Sequence, residues 1–201
     1  MNAPPIELPA EAFAELEAAY ATPPRAYHNF AHVQEVLRHY FEAGDGAGWE
    51  RPVEPYLAVL YHDAIYETGR SDNEARSAKL ARERIAHWLP GRGVDTERVA
   101  HLIDLTASHG KIRGDDVDRD TALFLDCDMA ILGADPARFD AYDRGIAAEY
   151  RHVPGWLFKL NRRRFLKALL EKDRIFLSDF FHGRYDAQAR ANLRRAINTK
   201  R

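Results

Sequence analysis

Apolar residues recur along most of the chain at three- and four-residue spacing, and no convincing run of four or more alternates between apolar and polar. That periodicity predicts amphipathic helices and an all-α fold. A first helix is expected from Ala10 to Ala21, with Pro23 and Pro24 ending it or starting its successor. A second covers Tyr27 to about Glu42 and runs into the glycine-rich GDGAG, and a third covers Glu54 to Tyr66. Ser71, Asp72, Asn73 and Glu74 have the S-x-x-E spacing of a capping box, opening a helix that reaches about Leu89 before PGRG stops it. Asp95 is placed to cap a helix through Ser108, with Gly110 positioned as a left-handed C-terminal residue. A further helix is expected over 120–132. Asp135 followed by Pro136 starts another that reaches about Arg151, and two or three more follow Pro154.

At 201 residues, with no repeat, low-complexity tract or Pro/Ser-rich linker, the chain reads as one helical domain over 1–201. No apolar run approaches the roughly 18 residues that span a bilayer. The start MNAPPIELPAEAF lacks the basic and apolar regions of a signal peptide, so a cytoplasmic protein with no membrane association is expected. Cys127 is the single cysteine, which excludes an intramolecular disulfide and a cysteine-based zinc knuckle. A metal site must therefore draw on histidine and carboxylates.

The net charge of −2 hides an uneven distribution. Residues 1–150 carry 15 Lys/Arg against 27 Asp/Glu, whereas residues 151–201 carry 14 against 4. The run Arg162, Arg163, Arg164 could draw an anionic substrate toward an acidic centre, or could be a solvated face that balances the acidic part. A pI near 6.5 disfavours nucleic acid as a partner.

Three segments carry candidate chemistry. His62 and Asp63 lie in the otherwise apolar AVLYHDAIY, where a buried carboxylate costs several kcal/mol unless it is paired or bound to a cation. YHNFAHV places His28 and His32 four residues apart, on one face if the helix already includes Tyr27. In FLDCDMAILG the stripe of Phe124, Leu125, Met129, Ile131 and Leu132 includes Asp128 and leaves Asp126 outside it. Asp128 is therefore favoured as a ligand, with Asp126 as an alternative one layer further out. Taken singly, each residue also reads as a hydrogen-bonded core side chain. His109 ends a helix and is either a further ligand, a phosphate contact or an exposed histidine favoured by the helix dipole. Glu67 could orient water, and Asn73 and Glu74 are either a cap or part of the site.

The order His32, then His62 with Asp63, then Asp128 resembles the H…HD…D ligand series of the HD-domain superfamily of metal-dependent phosphohydrolases. YHNFAH is similar to the Y-H-N-x-x-H segment of cyclic nucleotide phosphodiesterases in that superfamily, although no counterpart of their purine-clamping glutamine is evident. The stretch from YHNFAHV through YHDAIY and SDNEARSA to LDCDMAILG resembles a bacterial group of predicted HD-type phosphohydrolases of unassigned substrate, over about residues 20–180. The resemblance implies an HD-type helical domain in which His32, His62, Asp63 and Asp128 hold a divalent ion: Mn, Fe, Co, Ni, Zn or Mg. It further implies that metal-activated water, with Asp63 among the catalytic groups, cleaves a phosphate ester of a nucleotide or other small anionic metabolite, and that His28 is the catalytic acid. Mixed N/O ligation fits that chemistry because two imidazoles and two carboxylates offset a divalent charge and leave positions open. Two other expectations keep the fold: a di-iron oxygen-activating site, and a non-catalytic module that binds a nucleotide or partner.

Overall fold

Every residue from Glu54 to Tyr61 is buried, which makes α3 (Val53–Tyr61) the axis of the molecule. A helix that is apolar all round must be surrounded, and α3 is packed by α2 (Phe30–Gly46), α4 (Asn73–Trp88), α5 (Thr96–Thr106) and α6 (Arg119–Met129). α1 (Ala10–Ala21) lies on α2. α7 (Pro136–Glu149) and α9 (Asp179–Asn198) pack on the 3₁₀ turn Ala130–Gly133 that follows α6, and α8 (Gly155–Leu170) packs on α9. The computed structural model describes residues 3–22 and 25–198. Among these residues the chain is all-helical, with no strand and with one continuous buried cluster that draws on every helix from α1 to α6 and on α7, α8 and α9. No helix among them is long and apolar enough to cross a membrane.

Where capping is local, the expected boundaries hold. Asp95 accepts from Arg98 N, and Asp135 accepts from Ala137 N and Arg138 N with Pro136 in the first turn. Where long-range contacts compete, they shift. α2 begins at Phe30 because Asn29 is its N-cap and accepts from Ala31 N at 2.9 Å, so His28 precedes the helix and shares no helical face with His32. α3 stops at Tyr61 and not at Tyr66. Asn73 and Ser77, one turn apart on α4, take over the backbone that follows: Asn73 bonds both the N–H and the carbonyl of Glu67, and Ser77 bonds both groups of Ile65. The expected capping box at Ser71 does not form; Asp72 is the N-cap and makes no side-chain cap bond. Gly110 is not left-handed, since positive φ occurs only at Gly48, Gly69, Gly91 and Gly93 among the described residues. α6 and α7 end earlier than expected, at Met129 and Glu149. The expectation at Pro23 and Pro24 falls outside the described residues.

Part of the charge asymmetry fastens the basic C-terminal helices to the acidic part. Arg162 pairs with Asp143 of α7, and Arg195 with Asp140. Arg163 and Arg164 face solvent.

The joint between α9 and the 3₁₀ turn leaves no room for a side chain at Gly133. A Cβ on buried Gly133 would lie 2.7 Å from both Tyr185 Cβ and Tyr185 O, too close without displacing α9. Gly133→Ala should therefore cost about 1–3 kcal/mol, the usual penalty of overpacking. Gly155→Ala, where a Cβ meets nothing within 4 Å, should cost none. Urea midpoints for the two variants check this, and equal midpoints would show the joint to be compliant.

Candidate metal centre

Helix ends bring four of the sequence candidates into one cluster. His32 lies in the first turn of α2, His62 caps the C-terminus of α3 with Asp63 next to it, and Asp128 lies in the last turn of α6. His32 Nε2 is 3.1 Å from His62 Nε2 and 3.1 Å from Asp128 Oδ1. Asp63 Oδ2 lies 3.3 Å from His62 Nε2 and 3.6 Å from His32 Nε2. His62 Nδ1 donates to Val59 O at 2.8 Å, which turns the lone pair of Nε2 into the cluster. His62 Nε2 and the carboxylate oxygens are all acceptors, so a proton carried by an imidazole or a cation is needed between them.

The electrostatics express the same demand. Burial alone would push His62 down, but Asp63 and Asp128 outweigh it and lift the imidazole to about 9. Burial would raise Asp128, yet the hydrogen bond from His32 and the charges of His62 and His32 bring it to about 2. Asp63, opposed by burial, is likewise held well below the usual carboxylate range by His62 and His28. Ligand atoms of His32, His62 and Asp63 all lie within 4.8 Å of one another, and Asp128 Oδ1 adds a fourth, 3.7 Å from His62 Nε2. The first three could hold a divalent ion, with Asp128 at the edge of the group.

Arg25 clamps the segments that carry the cluster. Its guanidinium donates to the carbonyls of Asp63 at 2.5 Å, His28 at 3.0 Å, Ala64 at 3.0 Å and Ala19 at 3.0 Å. Tyr20 adds a second tie, donating to Leu60 O and receiving Asp63 N.

His28 stands beside the cluster without joining it. Its Nδ1 lies 2.6 Å from Glu149 Oε2, its backbone N–H donates to Glu149 Oε1 at 2.9 Å, and its ring stacks on Tyr66 at 4.1 Å. Burial would raise Glu149, but the hydrogen bond and charge of His28 outweigh it and keep the carboxyl below its ordinary value. Glu149 was missed by sequence reasoning, which had Glu67 orienting water and Glu74 as a cap or part of the site. One signal was present: a glutamate closes α7, where the helix dipole disfavours a carboxylate.

The other candidates separate. His109 Nε2 comes within 3.2 Å of Asp128 Oδ2 without hydrogen-bond alignment, so this histidine is buried against the cluster and not exposed at a helix end. Asp126 faces elsewhere: it accepts from Leu177 N, Ser178 N and Ser178 Oγ at 2.6–2.7 Å and anchors the segment before α9. The apolar-stripe reasoning ranked the two aspartates' burial in the wrong order. α6 is buried all round from Asp120 to Cys127, so Asp126 is the deeper one. Glu67 is half-exposed and paired with Arg76. Asn73 is the loop clamp described above, and Glu74 lines the site's cavity.

That cavity has a volume of about 550 Å³, and His28, Asp63 and Asp128 share its wall with Tyr66, Tyr142 and Arg162. Comparison with protein-family models, curated proteins and solved structures finds no match, so the geometry alone supports a functional reading.

Two linked outcomes are expected. Purified protein should carry a divalent ion that Asp63→Ala and Asp128→Asn lose and Asp126→Asn keeps, as read by elemental analysis. In chelated protein, the folded pKa of His62, about 9, exceeds the roughly 6.5 of an unfolded histidine. Its contribution to stability is then complete below pH 6.5 and is lost as pH rises through 9. Metal-loaded protein should lack this alkaline loss because the cation replaces the proton. Identical alkaline melting curves with and without chelator would contradict the assignment.

Proposed function

We propose that this protein is a metal-dependent phosphohydrolase of the HD type, cleaving a phosphate ester of a nucleotide or other small anionic metabolite. The observation that supports it most is that a carboxylate-braced histidine and the His/Asp cluster open onto one cavity. His32, His62, Asp63 and Asp128 would hold the ion. Such an ion lowers the pKa of bound water toward roughly 7 and offsets the charge of a phosphoryl group.

The remaining work belongs to the chain's own residues. With Nδ1 committed to Glu149, His28 keeps Nε2 for proton exchange with the cavity. It gives that proton to the leaving oxygen, and Glu149 stabilises the imidazolium from which the proton departs. Stacking on Tyr66 and the bonds from Glu149 to the backbone of Tyr27 and His28 fix the ring's direction, so little reorganisation is needed. Arg25 holds the carbonyls of His28 and Asp63 together, coupling acid to ligand set.

A second reading, a di-iron oxygen-activating site, draws on His109 as a further donor beside Asp128. Iron-loaded protein with a two-to-one stoichiometry and oxygen uptake would favour it.

His28→Ala should keep fold and metal and lose about 10²- to 10⁴-fold in turnover of an alkyl phosphate. The loss should shrink for p-nitrophenyl phosphate, whose leaving group needs little protonation, and Glu149→Gln should show the same substrate order. Loss of metal in His28→Ala would move this residue into the ligand set, and full activity on the alkyl ester would refute the acid role.

A further inference from the structure

Of the three consecutive arginines on α8, one points inward. The side chain of Arg162 is 13% exposed, and its Nε donates to Asp143 Oδ1 at 3.1 Å. Its guanidinium carbon sits 4.9 Å from the ring centroid of Tyr142 and 5.5 Å from that of Phe165. The planar group is thus held between an acid and two rings, yet Nη2 is buried with no hydrogen-bond partner among the described residues. A buried, unsatisfied N–H on a charged group is costly, and an anionic oxygen is the partner that best repays it.

Arg162 also occupies a junction. It lines the cavity of the metal cluster and a neighbouring one of about 710 Å³, and the two share Tyr150, Val153 and Phe158. Its place is some distance from the cluster. Tyr142, on which it stacks, packs against Tyr27 at 4.8 Å, and Tyr27 packs against His32 at 4.8 Å. Two aromatic rings thus lie on the packing path from the guanidinium to a ligand histidine, and the carboxylate that Arg162 pairs with is Asp143, not one of the cluster. A cavity of 550 Å³ is of the size that takes a whole small metabolite.

Resting on the phosphohydrolase reading, we propose that Arg162 is the anchor for a second anionic group, so that the preferred substrate carries two: the scissile phosphoryl at the metal cluster and another phosphate or carboxylate at Arg162. Tyr142, Phe158 and Phe165 flank the body that joins them. Asp143 sets the direction of the fork, and Arg164 on the outer face takes no part.

The test has two arms. In the first, calorimetry in EDTA with adenosine 3′,5′-bisphosphate reads binding without turnover. Wild type and Arg164→Gln should bind alike, and Arg162→Gln should bind at least about tenfold more weakly, the scale of one charge-assisted hydrogen bond. Arg162→Lys, which keeps charge without the fork, serves if the glutamine variant is unstable and should fall several-fold. Equal affinity in wild type and both Arg162 variants, or no binding by wild type, overturns the anchor. In the second arm, with Mn²⁺, Arg162→Gln should raise KM for the bisphosphate about tenfold and lower kcat/KM for p-nitrophenyl phosphate far less. An equal loss on both substrates places Arg162 at the scissile phosphoryl and overturns the proposal. Binding in the first arm with no turnover by any protein in the second contradicts the phosphohydrolase reading and leaves the anion site standing.

Discussion

Two largely buried carboxylates held against two buried imidazoles, on the wall of one cavity, are the constraint around which this molecule is built. Asp63 and Asp128 bring negative charge to a place where helix geometry adds more, because both stand at C-terminal helix ends, of α3 and α6. The partial charge of those ends has the same sign as the carboxylates. Without a cation the cluster must take up a proton on His62. A divalent ion answers carboxylates, lone pairs and dipoles together, and leaves the imidazoles neutral as ligands.

Such an arrangement is repulsive until it is filled, so the scaffold must hold it open. The ties are long in sequence and polar in character. Arg25 joins the carbonyls of Ala19, His28, Asp63 and Ala64, Tyr20 joins α1 to the end of α3, and Asn73 and Ser77 pin the chain beyond Asp63. Glu149 fastens the His28 segment to α7 from more than a hundred residues away. Each tie satisfies backbone groups that a regular helix would have paired, and together they let the chain leave helical geometry at the points where its ligands are needed. α8 then supplies Arg162 to the cavity wall, linking the basic last quarter of the chain to the acidic centre.

The legible part of this design was the part written at short range. Helix type followed from spacing, and the caps at Asp95 and Asp135 followed from a side chain and a backbone N–H two or three residues away. His62, Asp63 and Asp128 drew notice because polar residues in apolar surroundings demand compensation, and the resemblance to the H…HD…D series joined His32 to them. What stayed hidden depended on partners that no local spacing encodes. Asn29 claimed the cap and pushed His28 out of α2, Ser77 and Asn73 ended α3 early, and Glu149 and Arg25 act across the fold. Asp126 shows the limit from the other side. Its buried carboxylate needed compensation just as Asp128 did, and three donors from the segment before α9 supply it.

An anomalous difference map from crystals grown with Mn²⁺ tests the central claim most directly. The account predicts one strong peak within coordination reach of His32 Nε2, His62 Nε2, Asp63 and Asp128, with His28 still turned to Glu149. A map with no peak there, and His62 bonded as a donor to Asp63 or Asp128 at full Mn²⁺ concentration, would show that a proton and not a metal satisfies the cluster.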